Sequence, residues 1–136
     1  MSTQTPPEPG SITWIDLTVE GAERVRDFYK EVVGWNSEPV NMGGYSDYTM
    51  TAPQSGTPSA GICHARGVNK DLPPYWLIYI TVHDMDRSTK QCLELGGKVL
   101  VGPKGMGGIG RYCVIQDPAG AVAALLEPAS SQDLKT

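Results

Sequence analysis

Residues 12–35 read ITWIDLTVEGAERVRDFYKEVVGW, and this stretch decides the fold because the chain repeats it. Shifted forward by 63 positions, it meets a set of identical residues: Ile15/Ile78, Thr18/Thr81, Val19/Val82, Arg24/Arg87, Glu31/Glu94 and Gly34/Gly97. A second stretch repeats with a shift of 64, where Tyr48 meets Tyr112, Gly56 meets Gly120 and Ala60 meets Ala124. Two copies of about 60 residues are too few for a solenoid, so the repeat predicts a domain of two paired modules.

The first copy is predicted to fold as a βαβββ module. Apolar and polar residues alternate along 12–19, which indicates a strand. A helix is expected over 22–33, where one apolar face repeats at helical spacing and Gly34 stands at the position of a C-terminal cap. Three further strands are expected, over 35–40, 45–51 and 58–65.

The second copy follows the same plan. Its first strand is predicted over 76–83, and its helix has one face formed by Met85, Ser88, Cys92 and Leu95 before it ends at Gly96. Strands are then expected over 98–101, 110–116 and 121–127. The last two are joined by DPAG (117–120), whose composition is typical of a type I turn.

These elements predict an α+β fold in which one domain contains two tandem βαβββ modules. The expected boundaries are 1–10 for a proline-rich flexible arm, 11–65 for the first module, 66–75 for a linker, 76–129 for the second module and 130–136 for a tail. With 136 residues, the chain is long enough for one sizeable core.

The composition argues against several functions. The net charge of −4 offers no basic surface for nucleic acid, and no apolar run reaches the roughly 18 residues that a membrane helix needs. Cys63, Cys92 and Cys113 are odd in number and irregularly spaced, which favours reduced thiols over disulfides. We therefore expect a cytoplasmic protein that binds neither nucleic acid nor a membrane.

The first strand of each module has two contrasting faces. One is aliphatic and is expected to pack under the helices: Ile15, Leu17 and Val19, and Ile78, Ile80 and Val82. The other mixes aromatic, apolar and polar side chains: Trp14, Asp16 and Thr18, and Leu77, Tyr79 and Thr81. A mixed face of this kind is typical of ligand pockets. The alternative is that Asp16 and Tyr79 form a hydrogen-bonded pair inside a closed core.

Asp16 is the one candidate for a catalytic residue. In a partly apolar pocket, desolvation would raise its pKa and suit it to act as a general base. Near the third strands, Tyr48, Tyr112 and Arg111 would form an aromatic wall with a guanidinium group that holds a small carbonyl or carboxylate ligand. The alternative for these three residues is cross-strand packing and a surface charge.

The glycine-rich segment GMGGIG, residues 105–110, fits the GxGxxG pattern of dinucleotide-binding loops. Such a site requires a helix directly after the loop, whereas RYCVIQD (111–117) alternates like a strand. The segment is therefore interpreted either as a flexible loop that closes over a ligand or as a plain surface loop.

Two motifs together carry a family resemblance: the helix end DFYKEVVGW (27–35) and the turn DPAG with the strand after it. They resemble the vicinal-oxygen-chelate superfamily, which includes glyoxalase I, bleomycin-resistance proteins and extradiol dioxygenases. The similarity covers roughly residues 11–128, and PSAGI (58–62) and GGIGRYCVIQDPAGAV (107–122) resemble glyoxalase-like members labelled hydroxylases. The resemblance implies a cupped, eight-stranded mixed sheet, a homodimer, and metal-assisted chemistry on a substrate with two adjacent oxygens.

The resemblance also implies four metal-binding positions, which fall on Trp14, Ala60, Leu77 and Ala124 in this sequence. None of these side chains offers the oxygen, imidazole or thiolate donor that a divalent ion needs. We therefore expect no metal and no other cofactor at that place. A displaced metal site built from Asp16, His64 and Glu127 is the alternative.

The expected function is that of a glyoxalase- or bleomycin-resistance-like protein that binds a small organic ligand in the cup without the family metal. The expected ligand-binding residues are Trp14, Asp16, Tyr48, Ala60, Ile62, Leu77, Tyr79, Arg111, Tyr112 and Ala124. Two alternatives stay open. One is a metal-dependent lyase or dioxygenase with a displaced metal site, and the other is a dimerising, partner-binding module with a vestigial cup.

Overall fold

A computed structural model describes residues 7–129 of the chain. The predicted tail and most of the predicted N-terminal arm lie outside these residues. The described residues form two compact units. Trp14–Leu77 is called the first unit here, and 78–129 together with 7–13 is called the second unit.

The secondary structure follows the predicted order. The elements of the first copy are β1 (Ile12–Val19), α1 (Ala22–Val33), β2 (Asn36–Asn41), β3 (Ser46–Thr51) and β4 (Pro58–His64). A short 3-10 turn over Gly67–Asn69 precedes those of the second copy: β5 (Trp76–Thr81), α2 (Met85–Glu94), β6 (Lys98–Gly105), β7 (Gly110–Gln116) and β8 (Val122–Pro128). The predicted βαβββ modules are therefore confirmed, and β6 extends further than expected.

Each copy forms a mixed sheet. The strand order is β2-β3-β4-β1 in the first copy and β5-β8-β7-β6 in the second. The first strand of each copy runs parallel to the last, and the other neighbours within each copy are antiparallel. The predicted α+β class, with eight strands and two helices, is confirmed. Neither helix in the described part of the chain is long and apolar enough to cross a membrane.

Helix α1 begins and ends where the sequence predicts. Gly34 has a φ of 86°, in the left-handed region that glycine adopts easily, and its N–H donates to the Lys30 carbonyl at 3.0 Å. The helix places Ala22 in a core cluster with Tyr48, Met50 and Ile62 of the sheet. The face of the first sheet that carries these residues is therefore its helix side.

Aromatic rings complete the core beneath α1. Tyr29 of the helix lies against Trp35 and Trp76, with ring centroids 5.9 and 5.3 Å away. The indole N–H of Trp76 donates to the Tyr29 hydroxyl at 3.2 Å. These three rings pack against the buried cluster and close the space between α1 and its sheet.

Helix α2 is anchored at its N-terminus by two carboxylates. The side chain of Asp84 accepts a hydrogen bond from the Arg87 N–H at 3.1 Å, as an N-cap does. Glu127 of β8 accepts from the Met85 N–H at 2.7 Å. A negative charge at this end of a helix also interacts favourably with the helix dipole.

The core beneath α2 is smaller. Met85, Cys113 and Leu125 form its buried cluster, and Ile80, Val82 and Ile115 pack against that cluster while staying only partly buried. The expectation that the aliphatic face of the first strand lies under the helix is thus confirmed for Ile80 and Val82. Beyond Met85, the helix presents the small side chains of Ser88 and Cys92 to this side of the second sheet, which leaves it incompletely covered.

The second repeat alignment, with its shift of 64, is wrong by one residue in β4. Gly61 pairs with Asp16, and Ala124 pairs with Tyr79, across the parallel strand pairs of the two copies. Because Asp16 and Tyr79 are equivalent in the first repeat, Gly61 and not Ala60 is the counterpart of Ala124. In a strand, an offset of one residue moves a side chain to the opposite face of the sheet.

The third strands are also offset. Their pairing with β4 and β8 makes Asp47 the counterpart of Tyr112 and Tyr48 the counterpart of Cys113. The predicted equivalence of Tyr48 and Tyr112 is therefore wrong. The physical reason is that the connection between β3 and β4 is longer than the one between β7 and β8, so no single shift aligns both strands.

The start of the described chain is tied to β5 within the second unit. The Gly10 N–H donates to the Thr81 carbonyl, and the Thr81 N–H donates to the Ser11 carbonyl, both at 2.8 Å. Ser11 also turns back on Glu8 through its N–H and its hydroxyl. The end of the predicted flexible arm is therefore hydrogen-bonded from Glu8 onward.

Candidate functional site

The face of the first sheet opposite α1 carries a group of acidic residues. Alternation along the strands puts Asp16 of β1, Asp47 of β3 and Cys63 of β4 on this face, together with Trp14. We call it the acidic face. Asp16 is buried, and Asp47 and Cys63 are partly buried.

Gly61 makes room for the tryptophan on the acidic face. A Cβ atom at Gly61 would lie 3.1 Å from the Cβ of Asp16 and 3.5 Å from the indole of Trp14. The side chains of Trp14 and Asp16 thus lie against the bare backbone of β4. The absence of a side chain at Gly61 allows an aromatic ring and a carboxylate to sit side by side at this point.

The Cys63 thiol lies close enough to both carboxylates to feel their charges. Burial raises its pKa well above the usual value, and the negative charges of Asp16 and Asp47 and a hydrogen bond to Asp47 raise it further. The thiol is therefore held in its neutral form, which donates a hydrogen bond but is a poor nucleophile. Asp47 also accepts a hydrogen bond from the backbone N–H of His64 at 2.9 Å.

The corresponding face of the second sheet is apolar and aromatic. Tyr79, Tyr112, Val114 and Ala124 lie on it, opposite α2, and all four are buried. The structure thus places Tyr79, Tyr112 and Ala124 on the face that the sequence analysis expected. Leu77, one residue before the second unit begins, is almost fully buried at 1% exposure.

Three predicted ligand-binding residues lie on the other side of the first sheet. Tyr48 and Ile62 belong to the core cluster beneath α1, and Ala60 shares their face because it is two residues from Ile62 in the same strand. The expectation that they share a face with Trp14 and Asp16 is wrong. Its cause is the one-residue error in the repeat alignment.

Arg111 is not placed to hold a ligand beside Tyr112. The two residues are neighbours in β7, so their side chains point to opposite faces. The guanidinium of Arg111 is engaged on the α2 side, 3.2 Å from Glu127 and 3.4 Å from Asp86. The hydrogen bond to Glu127 is the main cause that raises the pKa of Arg111. The alternative, a charge paired at the surface, is the one that the structure supports.

The displaced metal site does not form as predicted. His64 pairs with Val19 and lies on the helix side of the first sheet, against Tyr45 and 3.4 Å from Glu23, whereas Asp16 lies on the opposite face. Within residues 7–129, no three His, Cys, Asp or Glu side chains come together in a way that could hold a metal ion.

The four positions implied for the family metal carry no donors. Three of them are Trp14, Leu77 and Ala124. The fourth is Gly61 rather than Ala60, because the strand register makes Gly61 the counterpart of Ala124. An indole, two aliphatic side chains and a glycine cannot supply the ligands of a divalent ion. The chain therefore does not fit a metal at the position that the resemblance implies.

Sequence reasoning missed Asp47 and Cys63 as site residues. Both follow from strand alternation once the register of β3 and β4 against β1 is known, since they then share a face with Asp16. The sequence carries the alternation but not the register, because the β3–β4 connection differs in length from its counterpart.

A comparison with known families agrees with this fold. A family model described as Glyoxalase/Bleomycin resistance protein/Dioxygenase superfamily matches residues 11–125. The chain belongs to this superfamily. The match includes both copies of the βαβββ module up to the middle of β8.

Curated relatives within the superfamily are longer than this chain. The putative glyoxylase CFP32 of Mycobacterium tuberculosis is 27% identical over 125 residues, which are 92% of this chain and 47% of that protein. The anthracycline biosynthesis protein DnrV of Streptomyces peucetius is 30% identical over 122 residues, which are 88% of this chain and 42% of that protein. The chain thus spans about half the length of the curated relatives it matches.

Solved structures share the fold at low identity. A methylmalonyl-CoA epimerase from Streptomyces coelicolor, in complex with 2-nitronate-propionyl-CoA, has a TM-score of 0.54 and 17% identity. The match covers 90% of this chain and 97% of that one. The epimerase from Mycobacterium tuberculosis has a TM-score of 0.50, again at 17% identity, with 92% and 91% covered. At this identity the likeness shows the fold alone.

Proposed function

We propose that this chain binds a small organic ligand on the acidic face of the first unit, and that it does so without a metal at the family position. The observation that carries the proposal is the grouping of Trp14, Asp16, Asp47 and Cys63 on one sheet face. An aromatic ring beside a few convergent polar groups is the usual composition of a ligand site.

The charges on this face favour a particular class of ligand. Asp16 and Asp47 are hydrogen-bond acceptors when ionised, and they repel carboxylates and phosphates. A ligand with hydroxyl or amine groups could donate further hydrogen bonds to these carboxylates, and an apolar ring on the same molecule would lie against Trp14. This class replaces the carbonyl or carboxylate ligand of the sequence analysis, which depended on Arg111.

The relatives support the general class of function. One is described as a putative glyoxylase and another as an anthracycline biosynthesis protein, so both descriptions concern small molecules. A lyase or dioxygenase that depends on the family metal has less support here, because the implied positions carry no donors. Should the chain be a catalyst, Asp16 is the residue we propose as its general base. The homodimer implied by the resemblance stays a prediction.

Ligand binding can be tested by thermal shift. A panel of small aromatic alcohols and amines is screened against wild type, and compounds that raise the melting temperature are titrated by calorimetry. For a compound that binds, Asp16→Asn and Trp14→Ala should each weaken the affinity about tenfold, because each removes one contact. Asp71→Asn is the matched control, since Asp71 is exposed and lies in the linker.

Two results would overturn the proposal. The first is a stoichiometric metal in the purified protein, found by elemental analysis, whose removal with a chelator abolishes ligand binding. The second is full affinity of Asp16→Asn and Trp14→Ala for every compound that binds wild type. Unchanged binding after chelation, together with loss in both variants, would support the site.

A further inference from the structure

The second unit contains a cavity that is separate from the acidic face. It lies between α2 and the helix side of the second sheet and has a volume of about 520 Å³. Its base is formed by Val82, Ile115 and Leu125 of the sheet. This volume falls within the range of about 300–1,000 Å³ that is common for small-molecule sites.

The wall on the helix side is made of small residues. Ser88 and Cys92 face the cavity from α2, and Leu95 extends the wall beyond the end of the helix. Gln91 and Arg87 lie at its exposed edge, and the guanidinium of Arg87 makes no ion pair among the described residues 7–129. Most of the lining is carbon, so the cavity is suited to an apolar guest with a few polar contacts at the rim.

The first unit shows what fills the equivalent space. Ser88 and Cys92 correspond to Val25 and Tyr29 of α1, at the spacing of the first repeat. Tyr29 packs on the sheet there with Trp35 and Trp76, so aromatic rings occupy the region.

A smaller groove of about 390 Å³ lies beside α1. It is lined by residues between Glu20 and Tyr29 and by none of the first sheet's strands. The aromatic cluster thus closes off the sheet in the first unit, whereas the cavity at α2 reaches the sheet. Cys92 at the position of Tyr29, and Ser88 at that of Val25, make the helix wall of the second unit smaller than that of the first.

We propose that the cavity beneath α2 binds a small, uncharged, planar aromatic molecule. The guest takes the place that Tyr29 and its two tryptophan partners fill in the first unit. Its ring contacts Val82, Ile115 and Leu125, and a ring N–H or hydroxyl is within reach of the polar groups of Ser88 and Gln91 at the wall and rim. This site is independent of the acidic face and of the function proposed for it.

Indole serves as the probe, because it is the side-chain ring of Trp35 and Trp76, which pack with Tyr29 beneath α1 in the first unit. Binding is followed by NMR of ¹⁵N-labelled wild-type protein and by the rate at which iodoacetamide alkylates Cys92, measured by peptide mass spectrometry. The expected result is saturable shifts at amides of α2, Ile115 and Leu125, and alkylation of Cys92 that is at least about threefold slower with saturating indole.

Cys92→Tyr restores the residue type of the first unit and should weaken indole binding about tenfold by filling the cavity. Leu93→Tyr is the matched control, because Leu93 is exposed on the same helix and does not line the cavity. It should bind indole like wild type. The alkylation measurement on wild type keeps the test valid should Cys92→Tyr fail to fold.

The proposal is overturned if indole leaves the alkylation rate of Cys92 unchanged, or if Cys92→Tyr binds indole as well as wild type. Shifts confined to amides near Trp14 and Cys63 would also overturn it, and they would at the same time support the acidic face as the binding site. The two proposals can thus fail separately.

Discussion

The two units have the same arrangement of strands and helix, but different kinds of side chain cover the two faces of the sheet in each unit. In the first unit, Tyr29, Trp35 and Trp76 close the helix side, and the other side of the sheet carries Asp16 and Asp47. In the second unit, the helix side is hollow around Cys92. The face opposite α2 there is apolar and aromatic.

The positions themselves make the contrast sharper. Asp16 corresponds to Tyr79, and Asp47 corresponds to Tyr112, so the two aspartates of the acidic face are each matched by a tyrosine in the second unit. On the helix side the aromatic residue is instead in the first unit, where Tyr29 corresponds to Cys92. A duplicated module keeps its backbone while its two faces change independently, because alternation separates them along every strand.

Removing an aromatic ring from the core beneath α1 should have the largest effect on the free energy of unfolding. Trp76→Ala deletes a partly buried indole that contacts Tyr29 and Trp35, so the free energy of unfolding should fall by about 3 kcal/mol. Urea denaturation measures the change. Tyr75→Ala at the exposed neighbouring position should cost less than about 0.5 kcal/mol. Equal losses in both variants would contradict the role of the aromatic cluster.

Substitution of Glu127 tests what holds α2 against the sheet of the second unit. The Glu127 carboxylate accepts from the Met85 N–H and pairs with Arg111, so Glu127→Ala should lower the free energy of unfolding by about 1–2 kcal/mol. Glu94→Ala, at the C-terminal end of the same helix, is the control and should change it little. A Glu127→Ala variant as stable as wild type would mean that α2 is held by its small core alone.

The pH dependence of protein stability tests the environment of Cys63 on the acidic face of the first unit. The pKa of Cys63 is raised in the folded state, so the folded protein keeps a proton that the unfolded chain releases above about pH 8.5. This contribution is fully present below that pH and is lost as pH rises further. Between pH 8 and 9.5, wild type should lose about 1 kcal/mol more stability than Cys63→Ala.

Urea denaturation of both proteins across this pH range measures the difference. Cys113, whose pKa is raised by burial to about 11, is present in both and cancels in the comparison. Asp47→Asn removes a hydrogen bond and a nearby charge that raise the pKa of Cys63, but burial, the largest cause, remains, so between pH 8 and 9.5 its stability should fall as that of wild type does. Identical pH dependence in all three proteins would show that Cys63 does not titrate abnormally.

Much of the fold could be predicted from the sequence, and less of the candidate site. Helix α1 and strand β7 have their predicted bounds, because helical spacing, a glycine cap and alternation act within a few residues. The positions of Trp14, Asp16, Tyr79 and Ala124 on their faces were also foreseen. Tyr48, Ala60 and Ile62 were assigned to the wrong face, since their placement depends on strand register and not on local pattern.

The sequence by itself determined the repeated module, the family and the absence of metal donors at the implied positions, since these depend on which residues stand where along the chain. Only the tertiary structure decided that Asp47 and Cys63 join Asp16 and that Arg111 turns to Glu127. It also decided that a cavity lies beneath α2. The physical reason is that faces, ion pairs and voids arise from strand pairing and packing between distant segments, which a local pattern does not specify.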